Sequence, residues 1–156
     1  MAVTPTPIFT QTPNVGVMNC IVSTAMTNTK AMDGTEAAGT ALALAFTAGA
    51  NGARVDVAKF RYTSTNGSTA TGTSAASVLR LWLNNGSANT TATNNTLLGE
   101  MPMPAQVVTA LATGSLPEYT LTLGISIPAG YKIYVGSTVA AGGVLAFQTL
   151  VLGGDY

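Results

Sequence analysis

The chain has 156 residues, of which 47% are apolar and only 8% charged, and its six basic and six acidic residues give no net charge at neutral pH. This length suits one domain with its own core. The lack of a basic excess argues against nucleic acid as a partner, because nucleic-acid binding depends on Lys and Arg that neutralise phosphates. A surface with so little charge tends to self-associate and is typical of a protein that works within an assembly.

The sequence also lacks residues that common catalytic sites need. It contains no histidine, which removes Ser-His-Asp and Cys-His arrangements and histidine-based zinc sites. The single Cys20 has no partner for an intramolecular disulfide, and its apolar setting in "MNCIVSTA" predicts a buried structural thiol. We therefore expect no cofactor and no metal.

No targeting or membrane segment is predicted. The start "MAVTPTPIFTQTP" lacks the basic and apolar regions of a signal peptide. The longest weakly polar run, "GTALALAFTAGA", is shorter than the ~20 apolar residues that cross a bilayer. We expect a chain that is made in a cytoplasm and has no membrane partner.

Residues 1–17 predict an extended N-terminal arm, followed by one domain over 18–156. Prolines recur in the arm among Thr and Asn, and proline disfavours helix. Ile8 and Phe9 lie in its middle. Two interpretations stay open with nearly equal weight, since these side chains would serve as anchors on a neighbouring surface or pack on their own domain.

Eight segments after the arm predict β-strands, because apolar residues alternate between short runs of turn residues. They cover residues 18–25, 39–47, 53–63, 77–84, 97–103, 117–127, 130–138 and 144–152.

Four of these segments predict further details. In 39–47, Leu42, Leu44 and Phe46 alternate with alanines, and an Ala-rich helix over 36–48 is the competing interpretation. In 53–63 the alternation changes parity, which predicts a β-bulge near Ala58–Lys59. The strand at 97–103 contains proline and suits a sheet edge. The last strand, at 144–152, is apolar on both faces and should be covered on both sides.

A mixed face on the segment 77–84 is a candidate interface. Leu79, Leu81 and Leu83 alternate with Val78, Arg80 and Trp82. The second set combines charge and an aromatic ring, which suits contact with a partner.

The stretch "PAGYKIYVGST" adds Tyr134 to the candidate interface. It begins with a turn, after which Tyr131, Ile133 and Val135 share one face and Tyr134 lies on the other. With no helix predicted, the fold class is all-β: a single antiparallel β-sandwich, jelly-roll-like, with the N-terminal arm.

Candidate chemistry is sparse. A glycosidase needs two facing carboxylates, whereas Asp33 and Glu36 lie in a turn and Asp56 lies on a strand among Arg and Lys. The Asn-x-Ser/Thr triplets at Asn66, Asn85, Asn89 and Asn94 reflect the composition of polar loops. Trp82 with the tyrosines is a candidate sugar platform, but a core or a subunit interface is the stronger interpretation of these aromatics.

One resemblance covers nearly the whole chain, from about Gly16 to Tyr156. The segments "FTAGANGARVDVAKFRYT", "VLRLWLNNG", "LLGEMPMPA", "ISIPAGYKIYVGST" and "GGDY" resemble small proteins encoded among the virion genes of tailed bacteriophages and prophages. No functional residues come with this resemblance.

The resemblance implies a non-enzymatic virion protein, most of all a capsid decoration (cement) protein that binds the major capsid protein lattice as a homotrimer. Its implied location is the virion, after synthesis in the cytoplasm of the host bacterium. The expected contact residues are Ile8, Phe9, Arg80, Trp82 and Tyr134. The alternatives are a head-fibre, tail or baseplate component, or a carbohydrate-binding module for host-surface glycans.

Overall fold

The computed structural model describes residues 9–16, 20–22, 24–26, 33–36, 41–64, 72–108, 117–142 and 145–156. Its described strands are β1 (Thr12–Val15), β2 (Cys20–Val22), β3 (Leu42–Thr47), β4 (Ala53–Ser64), β5 (Gly72–Thr73), β6 (Ser77–Asn84), β7 (Asn95–Met103), β8 (Val107–Val108), β9 (Tyr119–Ile127), β10 (Lys132–Ser137) and β11 (Leu145–Asp155). A short 3₁₀ turn, Ala92–Asn94, precedes β7.

The strands form two antiparallel sheets and a short ribbon. The first sheet has the order β1-β11-β4-β9, with β2 also paired to β11, and the second sheet has the order β3-β10-β6-β7. Strands β5 and β8 form the ribbon.

The strand pairing is that of a jelly roll. Without the ribbon, the first strands (β1 and β2) pair with the last (β11), β3 pairs with β10, β4 with β9, and β6 with β7. The chain is therefore one long hairpin folded over into two sheets. The predicted all-β, jelly-roll-like antiparallel sandwich is confirmed.

Each of the eight predicted strand segments overlaps an observed strand, and the competing helix over 36–48 is replaced by strand β3 where the structure describes it. Three short strands, β1, β5 and β8, were not predicted. Cys20 lies in β2, but its side chain is outside the described part of the chain, so the predicted burial of its thiol stays a prediction.

The predicted arm needs a correction at its C-terminal end. Thr12–Val15 forms β1 and pairs with Leu152–Asp155 of β11. The backbone amide of Gln11 also donates to the carbonyl oxygen of Asp155 at 2.8 Å. The sandwich therefore begins near residue 11 and not at residue 18. Proline is tolerated at Pro13 because β1 is an edge strand.

The predicted β-bulge exists, but it lies nearer the start of β4. Val55 pairs with Gly153 and Val57 pairs with Leu152, so Asp56 is the additional residue. This places both Val55 and Ala58 in the core. The predicted position at Ala58–Lys59 is wrong because that prediction put Val57 on the same face as Val55. In the structure Val55 is in the core, whereas Val57 is only half-buried and lies outside the core cluster.

A second irregularity separates apolar residues that were expected on one face of β3. Ile133 pairs with Phe46 and Tyr134 pairs with Leu44, which leaves Ala45 as the additional residue. Phe46 consequently enters the core between the sheets, whereas Leu42 and Leu44 pack on the outer side of the second sheet.

The main core lies between the sheets and is formed by large, fully buried side chains. They include Phe46, Phe60, Tyr62, Leu79, Leu81, Ile133, Phe147 and Val151. The rings of Tyr62 and Phe147 lie 4.9 Å apart between centroids, and the Tyr62 hydroxyl donates to the carbonyl oxygen of Pro104 at 2.6 Å. The predicted two-sided burial of β11 holds at Ala146 and Phe147, while Leu150 and Leu152 are half-buried.

Candidate interaction surfaces

The structure brings three predicted contact residues together on the outer face of the second sheet. Trp82 of β6 pairs with Tyr134 of β10, and Arg80 pairs with Gly136 two residues along. Side chains that are two residues apart on a strand share a face. Arg80, Trp82 and Tyr134, which were predicted separately as contact residues, therefore lie in one patch.

This patch is covered by the chain itself. Trp82 is only 2% exposed and Tyr134 only 6%. Both pack with Met26, Ala41 and Leu42 in a second apolar cluster. The burial of Tyr134 raises the pKa of its phenol above the usual value.

The cover includes a tight turn, Asp33–Glu36. A carboxylate oxygen of Asp33 accepts a hydrogen bond from the amide of Thr35 at 3.0 Å, and Gly34 with a φ of 70° lies against the indole of Trp82. The side-chain amide of Asn89 donates to the carbonyl oxygen of Glu36 at 2.8 Å. Because the indole ring is covered in this way, Trp82 offers no open stacking platform for a sugar.

Met26 fixes the other side of this cover. Its side chain and that of Leu42 occupy the space directly above Gly136, where a Cβ atom would have no room. The amide of Met26 donates to the carbonyl oxygen of Ser137 at 2.8 Å. A glycine at position 136 is therefore what lets the cover approach the second sheet.

Arg80 is the one member of the patch that reaches its edge. Its Nε donates to a carboxylate oxygen of Glu100 at 2.6 Å, with side-chain exposures of 15% for Arg80 and 44% for Glu100. This ion pair ties β6 to the edge strand β7 across the register Arg80–Glu100.

Phe9 is the most exposed large apolar residue among those described, at 73%. It directly precedes the hydrogen bonds that join Gln11 and β1 to β11. Ile8, its predicted companion, lies outside the described residues. Phe9 is thus an exposed apolar side chain that lies two residues before Gln11, where backbone hydrogen bonds begin to attach the chain to the sandwich.

The attachment is reinforced by Asp155. One carboxylate oxygen of Asp155 accepts hydrogen bonds from the Asn14 side-chain amide at 2.8 Å and from the Gly49 backbone amide at 3.0 Å. The same amide of Asn14 also donates to the carbonyl oxygen of Thr47 at 3.0 Å. Since Thr47 belongs to β3, these contacts join the two sheets.

Asparagines organise the connection between β6 and β7. Asn84 donates to the side chain of Asn95 at 2.9 Å, and Asn85 donates to that of Asn94 at 3.2 Å. Asn94 and Asn89 donate in turn to the carbonyl oxygens of Ala88 and Glu36. The side-chain amides of the described Asn-x-Ser/Thr triplets are thus engaged in structural hydrogen bonds.

A shallow depression of about 150 Å³ lies on the outer face of the first sheet, lined by Lys59, Arg61, Glu118, Gln148, Thr149 and Leu150. Its polar groups bind one another: Lys59 Nζ lies 2.8 Å from Glu118 Oε1, and Arg61 Nε donates to Gln148 Oε1 at 3.0 Å. In the part of the chain that the structure describes, no cluster of three or more Cys, Asp or Glu side chains could hold a metal ion.

An apolar surface that sequence reasoning missed runs along the side where β7 and β9 meet. We call it the open flank and define it by Leu98, Met101, Leu121, Leu123 and Ile125. These side chains pack against the core but are only half-buried. The alternation in 117–127 signalled the inward face of β9, but the incomplete cover depends on the strand order.

Neither a protein-family model, nor a curated protein, nor a solved structure matches this chain. The resemblance to virion proteins of tailed bacteriophages therefore stays a prediction. Over the described residues, the structure contains no helix with the length and apolar character of a membrane span.

Proposed function

We propose that this chain is a non-enzymatic structural protein of a tailed bacteriophage virion, and specifically a capsid decoration protein that binds the major capsid protein lattice and stabilises the head. Its proposed state is a homotrimer, and its proposed location is the virion. The observation that carries the proposal is Phe9, a largely exposed apolar side chain held next to a strand that is hydrogen-bonded into the sandwich.

Two properties of the chain and one general consideration support this proposal. The surface carries few charges, which suits a protein that buries area in an assembly. Jelly rolls occur in viral capsid proteins, although they also occur in lectins, so the fold supports the proposal by analogy alone. A decoration protein needs only repeated weak contacts, because several copies on one lattice bind with avidity.

The mode of contact follows from how Phe9 is held. Burial of one phenylalanine side chain contributes about 1.5–3 kcal/mol relative to its exposed state. Gln11 and β1 attach the chain to the sandwich, so Phe9, two residues before Gln11, is kept close to the sandwich when it meets a neighbouring surface. Ile8 would add a second apolar contact next to Phe9.

The test is binding to undecorated capsids by cosedimentation. Deletion of residues 1–9 leaves the hydrogen bonds of Gln11 and β1 in place, so the sandwich should keep its melting temperature. We expect that this deletion, and Phe9→Ser alone, weaken binding at least ~10-fold, as the lost burial implies.

Val107→Ser is the matched control, because Val107 is also a well-exposed apolar residue, at 60%, but lies on the ribbon. It should bind capsids like the unmodified chain. Unchanged binding after the deletion of residues 1–9 would overturn the role of the arm. Labelling of intact particles with antibodies would separate a head location from a fibre, tail or baseplate location.

A further inference from the structure

Strand β9 presents an edge with no partner among the described strands. It pairs with β4 on one side and ends the first sheet on the other. Its nine residues extend about 30 Å at the usual rise of a strand. The outward-directed amide and carbonyl groups of such an edge can pair with another chain.

The usual protections of an edge are sparse on β9. The edge strand β1 contains Pro13, and the edge strand β7 contains Glu100 and Pro102, whereas Tyr119–Ile127 contains no proline and no charge. A register shift at Gly124, which has a φ of 61°, interrupts the ladder. Tyr119–Thr122 remains in continuous register with β4 on the far side of this shift.

Apolar side chains accompany this edge. Leu121 lies against the backbone of Gly99 in β7, where a Cβ atom would come within 2.7 Å of Leu121 Cδ2, so the two sheets approach each other closely here. The five apolar side chains of the open flank nevertheless remain only partly buried. An edge and an apolar strip in the same place favour association with another protein surface.

The charge pattern of the open flank indicates what kind of protein surface would cover it. In a symmetric assembly, residues near the axis meet their own copies, so any charge there would face a like charge. Across β7 and β9 together the only charged residue is Glu100, and it is paired with Arg80 of its own chain. An uncharged flank fits a second copy of the same chain.

We propose that copies of this chain associate with each other through the open flank. The inference rests on the proposed self-association but not on the capsid partner. In this assembly Leu121, Leu123 and Ile125 lose their remaining contact with water, and the free edge of β9 gains a neighbour.

The experiment is light scattering behind size exclusion on the full chain over a range of concentrations, with Thr122→Lys as the first variant. Thr122 is exposed on β9, so a lysine there is tolerated by the monomer but brings like charges together between copies. We expect the unmodified chain to be a dimer or trimer and the variant to dissociate with a dissociation constant at least ~100-fold higher. Leu123→Lys should act in the same direction.

Val15→Lys is the matched control, because Val15 is an exposed apolar residue, at 52%, on the edge strand β1. It should keep the oligomer, and circular dichroism should show that all variants are folded. A monomeric unmodified chain, or dissociation by Val15→Lys with an intact Thr122→Lys oligomer, would overturn the inference. A dimer would support it while correcting the trimer, and capsid binding, measured separately, would still test the proposed function.

Discussion

The two flanks of the sandwich are both bounded by edge strands, yet they are closed to different degrees. On the side of β1 and β3, which we call the closed flank, the core residues Phe46 and Val151 are fully buried. Asn14 and Asp155 join the sheets there by hydrogen bonds. On the open flank, the sheets meet through Leu121 and Gly99, and the apolar side chains remain half-buried.

The comparison shows that the flank whose sheets are joined by side-chain hydrogen bonds is also the flank whose core residues are fully buried. The closed flank lies next to both ends of the described chain, so the side chain of Asp155 can reach the strand at the start and the turn after β3. On the open flank, β9 has no carboxylate or amide side chain that could join the sheets in the same way. We therefore expect the closed flank to carry more of the stability of the monomer and the open flank to carry association.

The largest expected effect is the loss of a core side chain at the closed flank. Phe46→Ala should lower the free energy of unfolding by about 3–5 kcal/mol, because it leaves a cavity in a fully buried site. Leu123→Ala on the open flank should cost only about 1–2 kcal/mol in the monomer, since part of that side chain already meets water. Urea unfolding in dilute solution measures both, and equal costs would remove the distinction between the flanks.

A smaller effect is expected from the carboxylate that joins the sheets. Asp155→Ala should cost about 1–3 kcal/mol, because the Asn14 amide and the Gly49 backbone amide lose their acceptor. Asp56→Ala is the control: its pair with Arg54, at 2.8 Å, is well exposed, and such pairs contribute only about 0–1 kcal/mol. The melting temperatures of the two variants should differ accordingly, and a fall that is as large for Asp56→Ala would count against a stabilising role of the hydrogen bonds that join the sheets at the closed flank.

The smallest effect concerns the irregular position on the open flank. Gly124→Ala should cost about 1–2 kcal/mol, because its φ of 61° is strained for residues with a Cβ atom. The added methyl group itself has room, since Arg54 Nη2 at 4.0 Å is the nearest atom. Thr122→Ala on the same strand should change stability by no more than about 0.5 kcal/mol. A neutral Gly124→Ala would show that the backbone there adapts.

Most of the sandwich follows from local patterns. Alternation with a period of two residues predicted the eight principal strands, and it predicted that Arg80 and Trp82 share one face of their strand. That Tyr134 lies on the same outer face depends on the pairing of β10 with β6. Strand β1 was missed because "TPNV" contains a proline and no alternation. Its extended state is stabilised by pairing with β11, which lies at the other end of the chain.

The candidate surfaces were predicted less completely. For Phe9 the sequence left open whether the side chain packs on its own domain or on a neighbouring surface, and in the structure it is largely exposed. Trp82 and Tyr134 were expected to contact a partner, but the turn around Gly34 and the side chain of Met26 cover them. A sequence pattern shows which residues share a face and does not show which distant segment will lie on that face.

Alternating side chains and turn residues, which act between near neighbours, were enough to place the strands and to indicate a sandwich. The bulges at Asp56 and Ala45, the cover over Trp82 and the contrast between the two flanks depend on contacts between distant parts of the chain. The hydrogen bond from Asn14 to Asp155 spans 141 residues. The first strand pairs with the last, and among the described strands β9 pairs with β4 alone, so one flank is closed and the other is open.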